Sequence, residues 1–269
     1  MLDDVRSTNP VLKNLAGDEQ QAGYGYPSQT EGYAPEVSQD RPLTVDDVVT
    51  KTGITLAVII AFAAVNFAIF IGGNAGLGST LTLVGAIGAF VVTLVHAFSR
   101  KFGSAPLTLA YAGLEGLFLG GFSFVVSGWY VGSANASTMI FQAILGTIGV
   151  FIGMLVVYRT GAIRVTPRFN RMLTGAIFGV AVMAIGNLLL YLFTGENPLR
   201  GGGTMSIIFG IVCVVLAALS FLQDFDLADK MVRTNAPSQA AWGIALGLAV
   251  TLVWLYTEIL RLLSYFNNR

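Results

Sequence analysis

Seven long apolar stretches constrain the fold of this chain more than any other feature of its sequence. They lie at about 54–72, 79–98, 105–128, 137–158, 172–194, 204–223 and 240–264. Each has roughly the 20 residues that a helix needs to cross a ~30 Å hydrocarbon core. Because backbone groups in lipid must be hydrogen-bonded within the protein, each stretch is expected to be a helix. The sequence therefore predicts an all-α membrane protein, a seven-transmembrane-helix bundle in a lipid bilayer.

The beginning of the chain differs from the rest in composition. Acidic side chains outnumber basic ones there, and Gln, Gly, Tyr and Pro are frequent. Such a segment cannot bury enough apolar surface to offset the entropy of ordering it. We expect residues 1–43 to form a disordered acidic tail, which argues against binding to nucleic acid, and residues 44–269 to form the seven-helix domain. Thr44 and Asp47 have the spacing of a capping box that opens a short helix ahead of the first span.

The charges of the loops predict the orientation of the bundle. Loops after the second, fourth and sixth spans are basic, whereas the opposite loops carry a single base, Arg200. The positive-inside rule then places the N-terminus in the cytoplasm and, after seven crossings, the C-terminus outside. The basic residues in question are Arg100, Lys101, Arg159, Arg164, Arg168, Arg171, Lys230 and Arg233.

Acidic side chains inside the apolar stretches are the candidate functional residues. Glu115 is the only acid between residues 48 and 195, and Glu258 lies in the last apolar stretch. Asp224, Asp226 and Asp229 follow one another at the end of the sixth. A carboxylate in hydrocarbon costs at least a few kcal/mol, so such a residue is by default a functional candidate.

Some of these acids also have a plain structural interpretation. Asp226 can pair with Lys230 four residues later on a helix surface. Glu258 can pair with Arg261, three residues later on the same face. Glu115 has no such neighbour, and the glycines around it leave room for another helix to approach.

Signatures of enzymes are absent from the sequence. The chain has one histidine, His96, and neither a Gly-x-Ser-x-Gly elbow nor a His-Glu-x-x-His pair. We therefore expect no catalytic residues and no tightly bound cofactor. Single polar residues within the spans, Asn66, Asn187 and Gln142, are explained by hydrogen bonds between helices.

Four segments together resemble the Bax-inhibitor (transmembrane Bax-inhibitor-motif) family, and most closely its bacterial YccA-like branch. The resemblance covers nearly the whole chain apart from residues 14–40. The segments are Arg6-Ser7-Thr8-Asn9-Pro10, Ala112-Gly113-Leu114-Glu115-Gly116-Leu117-Phe118-Leu119-Gly120, Asp224-Phe225-Asp226 and Leu252-Val253-Trp254-Leu255-Tyr256-Thr257-Glu258-Ile259-Leu260-Arg261-Leu262-Leu263.

The resemblance implies a seven-helix bundle with a central last helix and a pH-sensitive leak for calcium in a bacterial plasma membrane. It implies that two carboxylates, which correspond to Asp226 and Glu258, share a proton, bind the ion and sense pH. We expect Asp224 to be a secondary site residue. Near the end of the second span, Arg100 or Lys101 corresponds to a latch.

The second carboxylate departs from the family pattern, since Glu258 stands where the family has Asp. Depth along ideal helices also brings Glu258 nearer to Glu115 than to Asp226, which lies ~33 Å beyond Thr204. Two pairings of Glu258 are therefore open, one with Asp226 and one with Glu115.

From these observations we expect a passive calcium or cation leak, gated by protonation of acids among Glu115, Asp226 and Glu258. Calcium ions and protons would then be its ligands. The alternative is a non-transporting partner that modulates a membrane-anchored AAA+ protease, a role associated with the YccA-like branch.

Overall fold

Seven helices account for nearly all of the chain that is described here. The structure is a computed structural model that describes residues 41–98, 103–131 and 136–267. Each helix is long and apolar enough to cross a membrane, which confirms the all-α, seven-span prediction and makes this a multi-pass membrane protein. The helices are α1 (Val45–Ile71), α2 (Ala75–Phe98), α3 (Ala105–Val131), α4 (Ala136–Thr160), α5 (Pro167–Thr194), α6 (Thr204–Arg233) and α7 (Ala240–Asn267).

The first helix begins nine residues earlier than its apolar stretch. The capping box is present, because the backbone N–H of Asp47 donates to Thr44 Oγ1 (3.3 Å) and that of Thr44 donates to Asp47 Oδ2 (3.1 Å). This cap opens the spanning helix itself rather than a separate short helix. The expected disorder of residues 1–40 lies outside the described residues.

Residues 41–43 are ordered, although they fall within the predicted tail. The backbone N–H of Leu43 donates to the carbonyl of Ala236 (2.8 Å), and that of Ser238 donates to the carbonyl of Arg41 (3.0 Å). These bonds tie the segment before α1 to the loop between α6 and α7. We call this end of the bundle, where α1 begins, the proximal end, and the opposite end, with residues 195–203, the distal end.

Helix α7 is the centre of the bundle, as the family resemblance implied. It packs against α1, α3, α4 and α6. Small and aliphatic side chains fill its buried face, so that Ala241, Ala245, Ala249 and Leu255 are fully enclosed. Helix α5, by contrast, packs only against α6. Every other element is therefore placed by its contact with α7 or with a neighbour of α7.

Helices α1 and α3 approach each other closely through glycines of α3. A Cβ atom on Gly116 would lie 2.5 Å from the carbonyl oxygen of Ile59, and one on Gly120 would overlap the carbonyl of Ala63. Beside them, Asn66 of α1 donates to the carbonyl of Leu117 (2.6 Å), which confirms its predicted role between helices. This contact fixes the rotation of α3 and with it the direction of Glu115.

We expect Gly120→Ala to lower the stability of the bundle by about 1–3 kcal/mol, because the added methyl group meets backbone that cannot move aside. Thermal unfolding of the purified protein in detergent measures the loss. The control is Gly149→Ala on α4, where a Cβ atom meets nothing within 4 Å. Equal unfolding temperatures for the two variants would contradict the close packing of α1 and α3.

Candidate functional site

The most deeply buried acid of the described chain is Glu258, on the distal half of α7. Its exposed fraction is 2%. Both of its oxygens accept hydrogen bonds from Arg200, from Nη1 to Oε2 and from Nη2 to Oε1, each at 2.9 Å. Arg261 adds longer contacts from Nη1, at 3.4 and 3.5 Å. Glu258 thus lies between two arginines, and its principal partner is the one that is distant in sequence.

Arg200 is held in place by the distal loop and by α6 and α7. Its guanidinium lies 5.1 Å from the centre of the Phe209 ring, and its carbonyl oxygen accepts a hydrogen bond from the Tyr265 hydroxyl (3.1 Å). The loop is tied down on either side of it, because Ser206 Oγ donates to the carbonyl of Pro198 (3.0 Å). Arg200 therefore connects the loop between α5 and α6 to the central helix.

Asn187 also anchors this loop, although sequence reasoning assigned it to a contact between helices. Its amide nitrogen donates to Asn197 Oδ1 (2.6 Å), and its Oδ1 accepts from the backbone N–H of Leu199 (3.0 Å). The loop that carries Arg200 is therefore fixed to α5 as well.

The three aspartates predicted from the end of the sixth span all lie within α6, near its proximal end. Asp226 pairs with Lys230 (2.5 Å) and Asp229 with Arg233 (2.9 Å), each four residues along the helix. Asp224 faces α7 instead, where its Oδ2 accepts a hydrogen bond from Thr251 Oγ1 (2.7 Å). Asp224, and not Asp226, is therefore the α6 acid in hydrogen-bond contact with the central helix.

The contact between Asp224 and Thr251 sets the register of α6 against α7. Glu258 lies seven residues further along α7, about 10 Å distally, while Asp226 lies two residues in the other direction, about 3 Å. The two acids are therefore about 13 Å apart along the bundle, and the described hydrogen bonds of Glu258 include neither Asp226 nor Glu115. Proton sharing with either acid stays a prediction.

Glu115 lies on α3 and lines a cavity of about 370 Å³ between α2, α3 and α7. Thr108 of α3 donates to the carbonyl of Trp242 (2.9 Å), which places Glu115 about 13 Å proximal to Glu258 by helix rise. The carboxylate has no hydrogen-bond or ion-pair partner within the described part of the chain. The cavity is mostly apolar, and its walls include Phe90, Tyr111, Phe118, Trp254 and, at the distal side, Arg261.

The remaining predicted residues add little to the site. Arg100 and Lys101, proposed as a latch, lie outside the described residues. Among the described residues, no group of three or more His, Cys, Asp or Glu side chains is arranged to hold a metal ion. A calcium ion at Asp226 or Glu258 would therefore rely on backbone carbonyls and water for most of its ligands.

Sequence reasoning identified Glu258 and Arg261 but missed Arg200. The signal was present, because Arg200 is the single base in the distal loops. Its partner, however, is 58 residues away, beyond the reach of helical periodicity.

We expect Arg200→Met to destabilise the protein by about 3–5 kcal/mol, because it leaves the buried Glu258 without its bidentate partner. The double variant Arg200→Met, Glu258→Leu should recover part of that loss, since the buried carboxylate is gone and the charge that remains, on Arg261, is 23% exposed. Thermal unfolding of the single and double variants measures the coupling. Arg164→Met, at an exposed loop arginine, is the control. If the loss of stability in the double variant equals the sum of the losses in Arg200→Met and Glu258→Leu, the two residues are not coupled.

Comparison with known proteins agrees with this architecture. A family model described as Bax inhibitor 1 like matches residues 9–268. Among curated proteins, no match to the chain was found.

Proposed function

Because the chain belongs to the Bax inhibitor 1 like family, we propose that it is a pH-sensitive passive leak for calcium or a similar cation. The observation that carries the proposal is the buried carboxylate of Glu258, which is clamped by Arg200 from a loop at the distal end. Buried charges of this kind within a membrane bundle commonly mark ion or proton pathways.

The proposed pH-dependent gate is the ion pair between Glu258 and Arg200. In its charged form Glu258 accepts two hydrogen bonds from Arg200 and keeps the distal loop on α7. A proton on Glu258 removes its negative charge, so that Arg200 loses its ion pair. The guanidinium is then more stable when it moves into water and is hydrated. The loop then separates from α6 and α7 and opens the distal end. Acid pH therefore opens the leak, and neutral pH closes it.

Asp224 and Asp226 supply oxygen ligands at the proximal end of the same pair of helices. Hard cations such as Ca²⁺ take six to eight oxygen ligands. A path that offers two carboxylates, rather than a full set of six to eight oxygen ligands, binds the ion only weakly. Conduction requires weak binding of this kind, so that the ion can leave. This arrangement favours a leak over a storage site.

We expect Glu258→Gln to remove most of the pH dependence of flux and to leave the leak open at neutral pH. Glutamine keeps the size of the side chain but carries no charge to hold Arg200. Calcium entry into liposomes loaded with a calcium dye, scanned from acid to neutral pH, measures the effect. The matched control is Glu196→Gln, the same change at an exposed residue of the distal loop. A Glu258→Gln profile equal to that of the unmodified protein would remove Glu258 from the gate.

A second role, modulation of a membrane-anchored AAA+ protease, is favoured by one contact. Residues 41–43 are bonded to the loop between α6 and α7, so a partner that grips the acidic tail would pull on that loop. Deleting residues 1–40 separates the two roles. The leak proposal requires unchanged flux in the shortened protein, whereas loss of a cellular phenotype with normal flux would favour the modulator.

The proposed orientation places the proximal end in the cytoplasm of a bacterium, as the loop charges indicate. In a Cys213→Ala background, we expect Glu196→Cys to react with an impermeant maleimide in intact cells and Arg164→Cys to react only after lysis. Both positions are exposed, and they lie in loops at opposite ends of the bundle. Reaction of Arg164→Cys in intact cells would reverse the topology.

A further inference from the structure

The cavity that holds Glu115 lies away from the proximal aspartates and meets the distal ion pair only at Arg261, among the described residues. It lies between α2 and α7, which both pack on α3. Phe90 forms part of its wall and is 63% exposed, so the cavity opens sideways toward the lipid. A volume of about 370 Å³ is within the range of small-molecule sites, roughly 300–1,000 Å³.

Among the described residues that line the cavity, one strong acceptor has no hydrogen-bond partner in the described part of the chain. Thr93 donates its hydroxyl to the carbonyl of Ala89 (2.9 Å), and Thr257 donates to that of Trp254 (2.9 Å). Arg261 is directed to Glu258 and lies over the Phe122 ring. Glu115 is the acceptor that remains, and it faces mostly apolar and aromatic walls.

These walls suit an organic cation better than a metal ion. Calcium needs six to eight oxygens, and the cavity offers one carboxylate among aromatic and aliphatic side chains. Aromatic faces attract ammonium groups, and the apolar surface accepts a hydrocarbon chain. The opening toward lipid admits molecules that are already dissolved in the bilayer.

We propose that this cavity binds a lipophilic primary amine, whose ammonium pairs with Glu115 and whose hydrocarbon chain lies along Phe90, Phe118 and Trp254. The ammonium supplies the hydrogen-bond donors that Glu115 lacks in the described chain. Glu115 itself lies about 13 Å from Glu258 along the bundle, although Arg261 of the cavity wall also contacts Glu258.

Fluorescence of Trp254 reports on the site once Trp129 and Trp242 are changed to phenylalanine, since the chain has three tryptophans. Octylamine, protonated at neutral pH, is titrated into the protein in lipid nanodiscs, and 1-octanol is the neutral counterpart. We expect octylamine to change the fluorescence saturably, with an affinity about tenfold or more above that of octanol. In Glu115→Gln the two compounds should bind alike.

Two further variants keep the result interpretable. Ala86→Leu fills the cavity without removing a charge and should weaken binding of both compounds, while Glu196→Gln should leave binding unchanged. Thermal unfolding without ligand verifies that each variant folds. If Glu115→Gln does not fold, weaker binding to Ala86→Leu is the result that tests whether the compounds occupy this cavity. Equal binding of octylamine and octanol to the unmodified protein would overturn the proposal. So would displacement of octylamine by calcium, which would assign Glu115 to an inorganic cation.

Discussion

The ion pair between Glu258 and Arg200 is the interaction on which the distal half of the molecule depends. An ionised carboxylate buried in the centre of a membrane bundle is costly unless it is paired and hydrogen-bonded. Arg200 meets that requirement with two bonds at 2.9 Å, and in doing so it fixes the loop between α5 and α6 to the central helix. Peripheral α5, which otherwise packs only on α6, is linked to α7 through the same loop. The charge pair therefore closes the distal end together with the bonds from Ser206 and Tyr265 to the same loop.

The acidic residues divide into three places rather than forming one cluster. Glu258 belongs to the distal closure, Asp224 bonds to Thr251 near the middle of α7, and Glu115 faces a lateral cavity. The proximal end is closed differently, by backbone bonds between residues 41–43 and the loop before α7. The segment before α1 also involves a carboxylate, because Asp47 forms an ion pair with Arg41 and accepts a hydrogen bond from Thr44. Glu258 is the more deeply buried of the two acids, and we therefore propose the pH-sensitive step at the distal end.

The sequence alone predicted the helices and the contacts between residues that are close in the chain. Contacts between distant residues depended on how the helices align with one another. Apolar length identified seven helices, and the capping box at Thr44 and Asp47 was recognisable because it is local. Local spacing also identified Arg261 beside Glu258 and Lys230 beside Asp226. Hydropathy alone could not show that α7 is central, since a lipid-facing helix and a buried helix are equally apolar in a membrane. Nor could it show that Thr251 lies opposite Asp224, because that depends on how far α6 slides along α7.

The distance between the distal loop and the end of α7 tests the central claim most directly. Spin labels at Glu196→Cys and Asn267→Cys, in a Cys213→Ala background, report that distance by pulsed electron paramagnetic resonance. We expect one narrow distribution at neutral pH and a longer, broader one at mildly acidic pH. Glu258→Gln should show the broad distribution at both. A narrow distribution that does not change with pH or with this substitution would contradict a gate at Glu258 and Arg200.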